Sequence, residues 1–117
     1  MLMLPSNTKV YLARAAVDMR SSFDGLSAIV QNTIEENPFS GHLFVFSNKG
    51  RNKVKILYWD RNGFCIWYKR FEKGRYVLPE LTGDSIELSL SDLHCLLEGI
   101  DLKDIHRLPT LHYQKVA

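Results

Sequence analysis

The sequence predicts an α+β fold, a mostly antiparallel sheet that contains a long basic β-hairpin and has two helices packed on it. Three observations lead there. Val54–Trp59 and Phe64–Arg70 read as two strands joined by Asp60-Arg61-Asn62-Gly63, in which Asn-Gly is a strong hairpin signal. Apolar residues recur at helical spacing in two separate stretches, Met19 to Ile34 and Leu93 to Ile100. The resulting order, β-α-β-β-β-(β)-β-α, packs most simply with both helices on one face of the sheet.

Taken in order, Lys9–Ala13 is a short strand after Pro5. Asp18 is placed to cap a helix whose buried side is Met19, Phe23, Leu26, Val30 and Ile34. Gly25 interrupts that helix at a cost of about 1 kcal/mol against Ala, which suggests close packing on the sheet or close approach of a ligand. Asn37-Pro38 ends it. Leu43–Ser47 is a continuous apolar run, as in a strand buried on both sides or a short central one. Asn48–Asn52 is a hairpin loop or a flexible arm.

In the ribbon that follows, alternation puts Lys53, Lys55, Leu57, Trp59, Phe64, Ile66, Tyr68 and Arg70 on one face. Val54, Ile56, Tyr58, Cys65, Trp67, Lys69 and Phe71 fall on the other. Gly74–Pro79 is extended, Ile86–Leu90 a half-exposed strand, and Ser91 a cap for the second helix, with Gly99 near its end. Residues 104–117 read as a loose tail.

At 117 residues the chain forms one domain, residues 1–117, long enough to bury about two thirds of its unfolded surface without staples. No apolar run approaches the roughly 18 residues of a membrane span, and the start, Met-Leu-Met-Leu-Pro, lacks the basic region and cleavage site of a signal peptide. Cys65 and Cys95 have no CxxC partner, so free thiols in a reducing cytoplasm are expected.

Charge is the feature that points to function. Lys49 to Arg75 holds nine bases and two acids, a formal +7, while the rest holds six bases and eleven acids, −5. The bases are Lys49, Arg51, Lys53, Lys55, Arg61, Lys69, Arg70, Lys73 and Arg75, interleaved with Tyr58, Trp59, Phe64, Trp67, Tyr68 and Phe71. Cations neutralise phosphates and flat rings stack on bases, so nucleic acid is the first partner to consider. The plain alternative is that the aromatics are ordinary strand formers and the lysines keep a sheet edge soluble. A net +7 over 27 residues exceeds what an edge needs.

No catalytic constellation is visible. Two or three carboxylates converging on metal would be required of a nuclease or transposase. Asp18 reads as a cap, Asp60 as a turn residue and Asp84 as a loop residue after Gly83. Asp24 has the weakest local explanation and is expected to be solvated or paired along the helix. His42, His94, His106 and His112 lack metal-ligand spacing, and no phosphate loop, nucleophile elbow or dinucleotide fingerprint occurs. No enzyme activity, metal or cofactor is expected.

Several motifs together resemble a known family. They are Asp18-Met19-Arg20 with Ser22-Phe23-Asp24-Gly25-Leu26, Pro38 to Phe46, Lys55-Ile56-Leu57-Tyr58-Trp59-Asp60 with Gly63-Phe64, Lys69 to Gly74, and Leu96-Leu97-Glu98-Gly99-Ile100-Asp101. In this order and spacing, over about residues 4–104, the chain is similar to the small TnpB-type accessory protein of insertion-sequence family sixty-six, the product of the element's second reading frame. That family is distinct from the large RNA-guided nucleases that share the TnpB name. The resemblance implies a bacterial protein needed for transposition, without known catalytic residues. Leu78 stands where the family often has Trp, and Asn52 where it often has an acid.

The expectation is therefore a non-catalytic transposition factor that contacts DNA at the element ends through the nine bases, with Arg61 at the turn reaching into a groove. An adaptor that docks on the cognate transposase is the alternative, and a regulator binding RNA or the element's promoter a weaker one. A homo-oligomer is compatible with either of the first two.

Overall fold

The computed structural model describes residues 4–80 and 82–101. The tail expected at residues 104–117 lies outside the described residues. The sheet has five strands, β1 (Val10–Ala13), β2 (Leu43–Ser47), β3 (Lys53–Asp60), β4 (Gly63–Arg70) and β5 (Ser85–Leu88), in the order β4-β3-β2-β1-β5. Helix α1 (Phe23–Ile29) continues into a wider π-helical turn, Val30–Ile34, and α2 is Leu90–Leu97. The α+β expectation holds. Three of the four strand pairings are antiparallel, and only β1–β2 is parallel because α1 lies between them as a crossover.

The two helices do not share a face. Val10, Leu12, Leu43, Val45, Val54 and Ile56 pack with Leu93, Leu96 and Leu97 of α2. On the other side, Ala13, Phe44, Phe46 and Leu57 pack with Leu26, Val30 and Ile34 along α1 and its extension. Adjacent residues of one strand thus serve opposite cores, which is why β2 is buried at all five positions.

Helix ends depart from the expected caps. Asp18 precedes α1 by a turn, and its carboxylate instead takes the Arg20 amide at 2.8 Å and guanidinium at 2.6 Å. The cap position is Ser22, without a side-chain bond. Met19 lies before α1, and Phe23 at its start is exposed. Nothing from the sheet crowds the side-chain position of Gly25. A Cβ there would meet only Ser21, at an ordinary 3.6 Å. In α2 the cap is Ser89, not Ser91, and its Oγ accepts the Asp92 amide at 3.0 Å. Gly99 closes α2 at φ +79°, with its N–H donating to the Leu96 carbonyl and that of Ile100 to Cys95. That is the paired-bond stop for which glycine is favoured.

The ribbon keeps the predicted parity. Trp59 lies opposite Phe64, Leu57 opposite Ile66 and Ile56 opposite Trp67, so Trp59 and Trp67 fall on different faces. The turn differs in detail. Asp60 pairs with Gly63, which leaves Arg61-Asn62 as the loop, and the positive φ falls on Arg61 at 51° rather than on the Asn-Gly pair. Gly74–Pro79 forms no strand, but Tyr76 within it is fully buried in the α2-side core.

Candidate nucleic-acid interface

The nine bases separate into three groups. The largest gathers at one end of the sheet, on two loops tied to each other. Asn48 organises the first loop. Its Oδ1 accepts the amides of Asn52 and Lys53 at 3.1 and 3.0 Å, and its Nδ2 donates to Asn52 Oδ1 at 2.7 Å. Residues 48–52 are therefore a structured hairpin loop between β2 and β3, with Arg51 held at φ 58°. The second loop follows β4. Phe71 N–H donates to the Asn52 carbonyl at 2.7 Å, Tyr76 N–H to the Arg51 carbonyl at 3.0 Å, and the Tyr76 hydroxyl to the Lys53 carbonyl. Burial pushes the Tyr76 phenol up to about 12, which keeps it a neutral donor at ordinary pH.

These bonds bring Lys49, Arg51, Lys73 and Arg75 together as exposed side chains, beside Lys53 and Arg70, the last pair of the ribbon. Glu72 is the one acid among them. It accepts from Arg70 at 2.9 Å in a pair whose side chains are 64% and 76% exposed, so it neutralises little. Between Lys53, Arg70 and Glu72 lies a shallow depression flanked by the half-exposed ring of Tyr68. Six cations and an accessible ring on one hydrogen-bonded platform can neutralise several phosphates without first ordering a loop.

The second group, Lys55 and Lys69, is engaged with the helical layers of the fold. Lys55 is buried, and its ammonium donates to the Met19 and Ser21 carbonyls at 2.7 and 2.8 Å, 4.8 Å from the centre of the Tyr68 ring. It ties the segment before α1 to the middle of the sheet. Lys69 does the same on the opposite face, donating at 2.8 Å to the Leu97 carbonyl at the end of α2, where a helix favours positive charge. The Lys55 ammonium is closed off by the Met19 and Ser21 carbonyls, while the partly buried Lys69 keeps two of its three donors. A signal was present in the sequence, since Lys55 stands within Val54-Lys55-Ile56-Leu57, where a solvent-facing lysine would interrupt a core strand.

The third group is Arg61 alone. Its side chain is 92% exposed and 3.7 Å from Asp60, at the turn. The eight residues of β3 place it about 23 Å from the basic platform. At that end the surface is aromatic. Phe39, Trp59 and Phe64 form a triangle with ring centres 5.0 to 5.2 Å apart, and Phe39 is 56% exposed. The role of Phe39 escapes sequence reading because its partners lie twenty residues on.

Among the described residues, no group of three His, Cys, Asp or Glu side chains could hold a metal ion. His42 is engaged in the fold, its Nδ1 accepting the Lys9 amide at 3.0 Å. Asp24 is exposed in the first turn of α1. Cys65 and Cys95 are free and only partly buried. No helix among the described residues is long and apolar enough to cross a membrane.

The architecture is thus that of a small α+β protein with a charged end and an aromatic end. Residues 8–107 match the family described as IS66 Orf2 like protein, and the chain belongs to that family. It is a transposition-associated accessory protein of an insertion sequence. Two relatives come from Sinorhizobium fredii. The uncharacterized protein y4hO is 40% identical over 101 residues, covering 85% of this chain and 88% of its own. The uncharacterized protein y4jC is 28% identical over 109 residues, covering 93% of each chain. No solved structure matches.

Proposed function

We propose that this protein is a non-catalytic accessory factor that binds DNA through the basic platform and so helps to assemble the transposition complex on the element's ends. The observation that carries the reading is the grouping of Lys49, Arg51, Lys73 and Arg75, on two loops joined by backbone hydrogen bonds, beside Lys53 and Arg70 at the open end of the ribbon. Lys55 and Lys69 act as tethers in this reading, and Arg61 is too far away to share the same short stretch of backbone. Phosphate contacts position a protein without specifying bases, so the platform should bind most duplexes comparably, with preference for the element's ends supplied by the transposase. Equilibrium binding to an element-end duplex and an unrelated duplex of equal length tests this. Comparable affinities that fall together as salt rises are expected. Affinity for every duplex below the non-specific floor, about 10⁻⁴ M at physiological salt, would contradict it.

The aromatic end favours a second reading, docking on the transposase. Phe39, exposed and packed on the half-buried Trp59 and Phe64, offers a ring cluster of the kind that anchors protein interfaces. Replacing Phe39 and Trp59 by Ala should abolish capture of the cognate transposase while DNA affinity is retained. Loss of transposase capture through the basic platform instead would favour a purely charge-driven adaptor.

A further inference from the structure

Among the described residues, neither edge strand of the sheet, β4 or β5, has a strand on its outer side, and the two edges are not equivalent. β5 is four residues long. β4 is eight, and its register with β3 runs from Lys53–Arg70 to Asp60–Gly63 without a bulge. Edge strands are normally blunted by charge, proline, bulges or brevity. From Gly63 to Tyr68, β4 has none of these. The direction of its backbone groups is fixed by the bonds at the open end. Phe71 N–H reaches Asn52, and Asn48 N–H reaches the Lys53 carbonyl, so the odd-numbered residues of β4 exchange bonds with β3. The N–H and C=O groups of Phe64, Ile66 and Tyr68 point outward. Among the described residues, β3 is the only strand paired with β4.

Beside this edge lies a groove of about 420 Å³ between Trp67 and the Leu93, His94, Leu97 and Glu98 side of α2. An added strand would complete the ladder and lay alternate side chains in that groove. The charge pattern says which strand fits. β4 is uncharged over Gly63–Tyr68 and positive only at Lys69-Arg70. Parallel pairing of two such strands sets like charges side by side, whereas antiparallel pairing sets each Lys69-Arg70 beside the partner's turn end, where the charges of Asp60 and Arg61 cancel. Joining β4 to β5 of another copy would propagate head to tail, but joining β4 to β4 closes on a two-fold axis.

We propose that two copies of this chain join through their β4 strands, antiparallel about an axis near Ile66, into one continuous ten-stranded sheet. The basic loops stay outside the contact, so the inference stands or falls separately from DNA binding. The test is sedimentation equilibrium of the full chain together with amide hydrogen exchange over a dilution series. The expected result is a mass twice 13.5 kDa, with slow exchange at Phe64, Ile66 and Tyr68 that becomes fast as dilution yields the monomer. Ile66→Pro removes an outward N–H and none of the β3 ladder, and should weaken the dimer at least tenfold while the circular dichroism is kept. If that variant misfolds, exchange in the unmodified chain still decides. A monomer at all concentrations overturns the proposal. So does slow exchange at monomer mass, which would mean that the chain covers its own edge. A dimer in which these three amides exchange fast overturns it too.

Discussion

The two ends of the ribbon are built from the same two strands, yet they hold their charges in opposite ways. At the open end, side chains of asparagine and backbone groups do the structural work, so the cations are left exposed. At the turn end, aromatic rings pack on one another and only Arg61 projects. Between them Lys55 and Lys69 are drawn inward, one to each face, to satisfy carbonyls of the helical layers. A count of nine bases treats these residues alike. The fold sorts them by what else in the neighbourhood can satisfy a backbone carbonyl.

The largest expected effect separates binding from stability. Charge reversal of Lys49, Arg51, Lys73 and Arg75 to Glu should lower affinity for generic DNA more than about 100-fold, nearly 3 kcal/mol, with the urea midpoint scarcely moved. A large fall in stability instead would mean that these loops are structural after all. The converse variant is Lys55→Met. It leaves the Met19 and Ser21 carbonyls without their charged donor, and should destabilise by about 2 to 3 kcal/mol while the salt dependence of DNA binding stays unchanged. Denaturant titration beside binding at several salt concentrations checks both. If Lys55→Met shifts affinity and not stability, the division of the bases is wrong.

A smaller effect lies away from both ends. Gly25 sits in α1 with room for a methyl group, so Gly25→Ala should stabilise by about 0.5 to 1 kcal/mol, read as a higher unfolding midpoint. Destabilisation there would reveal an approach that the fold does not show.

The smallest effect is electrostatic. Hydrogen bonds from Arg20 hold the Asp18 carboxyl at about 2, below its ordinary 3.8. A carboxyl lowered by folding stabilises fully above its unfolded value, and that contribution is lost as pH falls from about 4 towards 2. The carboxyl resonance of Asp18 should titrate near 2, and Arg20→Ala should raise it only part of the way, because the amide of residue 20 still donates to the carboxylate. The segment concerned is the one whose Met19 and Ser21 carbonyls Lys55 binds.

Local features were legible in the sequence where one strand or one helix decides them. The parity of Trp59 and Trp67 follows from alternation, and the helix stop at Gly99 from its need for positive φ. The burial of Leu43–Ser47 on both sides was also readable, and it implies a layer on each face. The order of elements did not favour that arrangement, and the parallel β1–β2 pair that α1 connects is a tertiary choice. Caps were misplaced by two to four residues because serines and aspartates cluster before both helices. Any of them could supply an oxygen, and only geometry selects Ser89. The basic site was legible as a charge segregation and no further. Alternation gives the face of Lys55 and Lys69 but not whether a carbonyl waits above it.

The central claim is that the six bases at the open end act together on phosphates. Counterion release makes this measurable as the slope of log affinity against log salt concentration on a generic duplex, about −0.9 for each phosphate neutralised. With Lys49, Arg51, Lys53, Arg70, Lys73 and Arg75 engaged, the slope should be about −5, and in the variant with four of them reversed no steeper than about −2. A slope near −5 that survives those four changes would contradict the account.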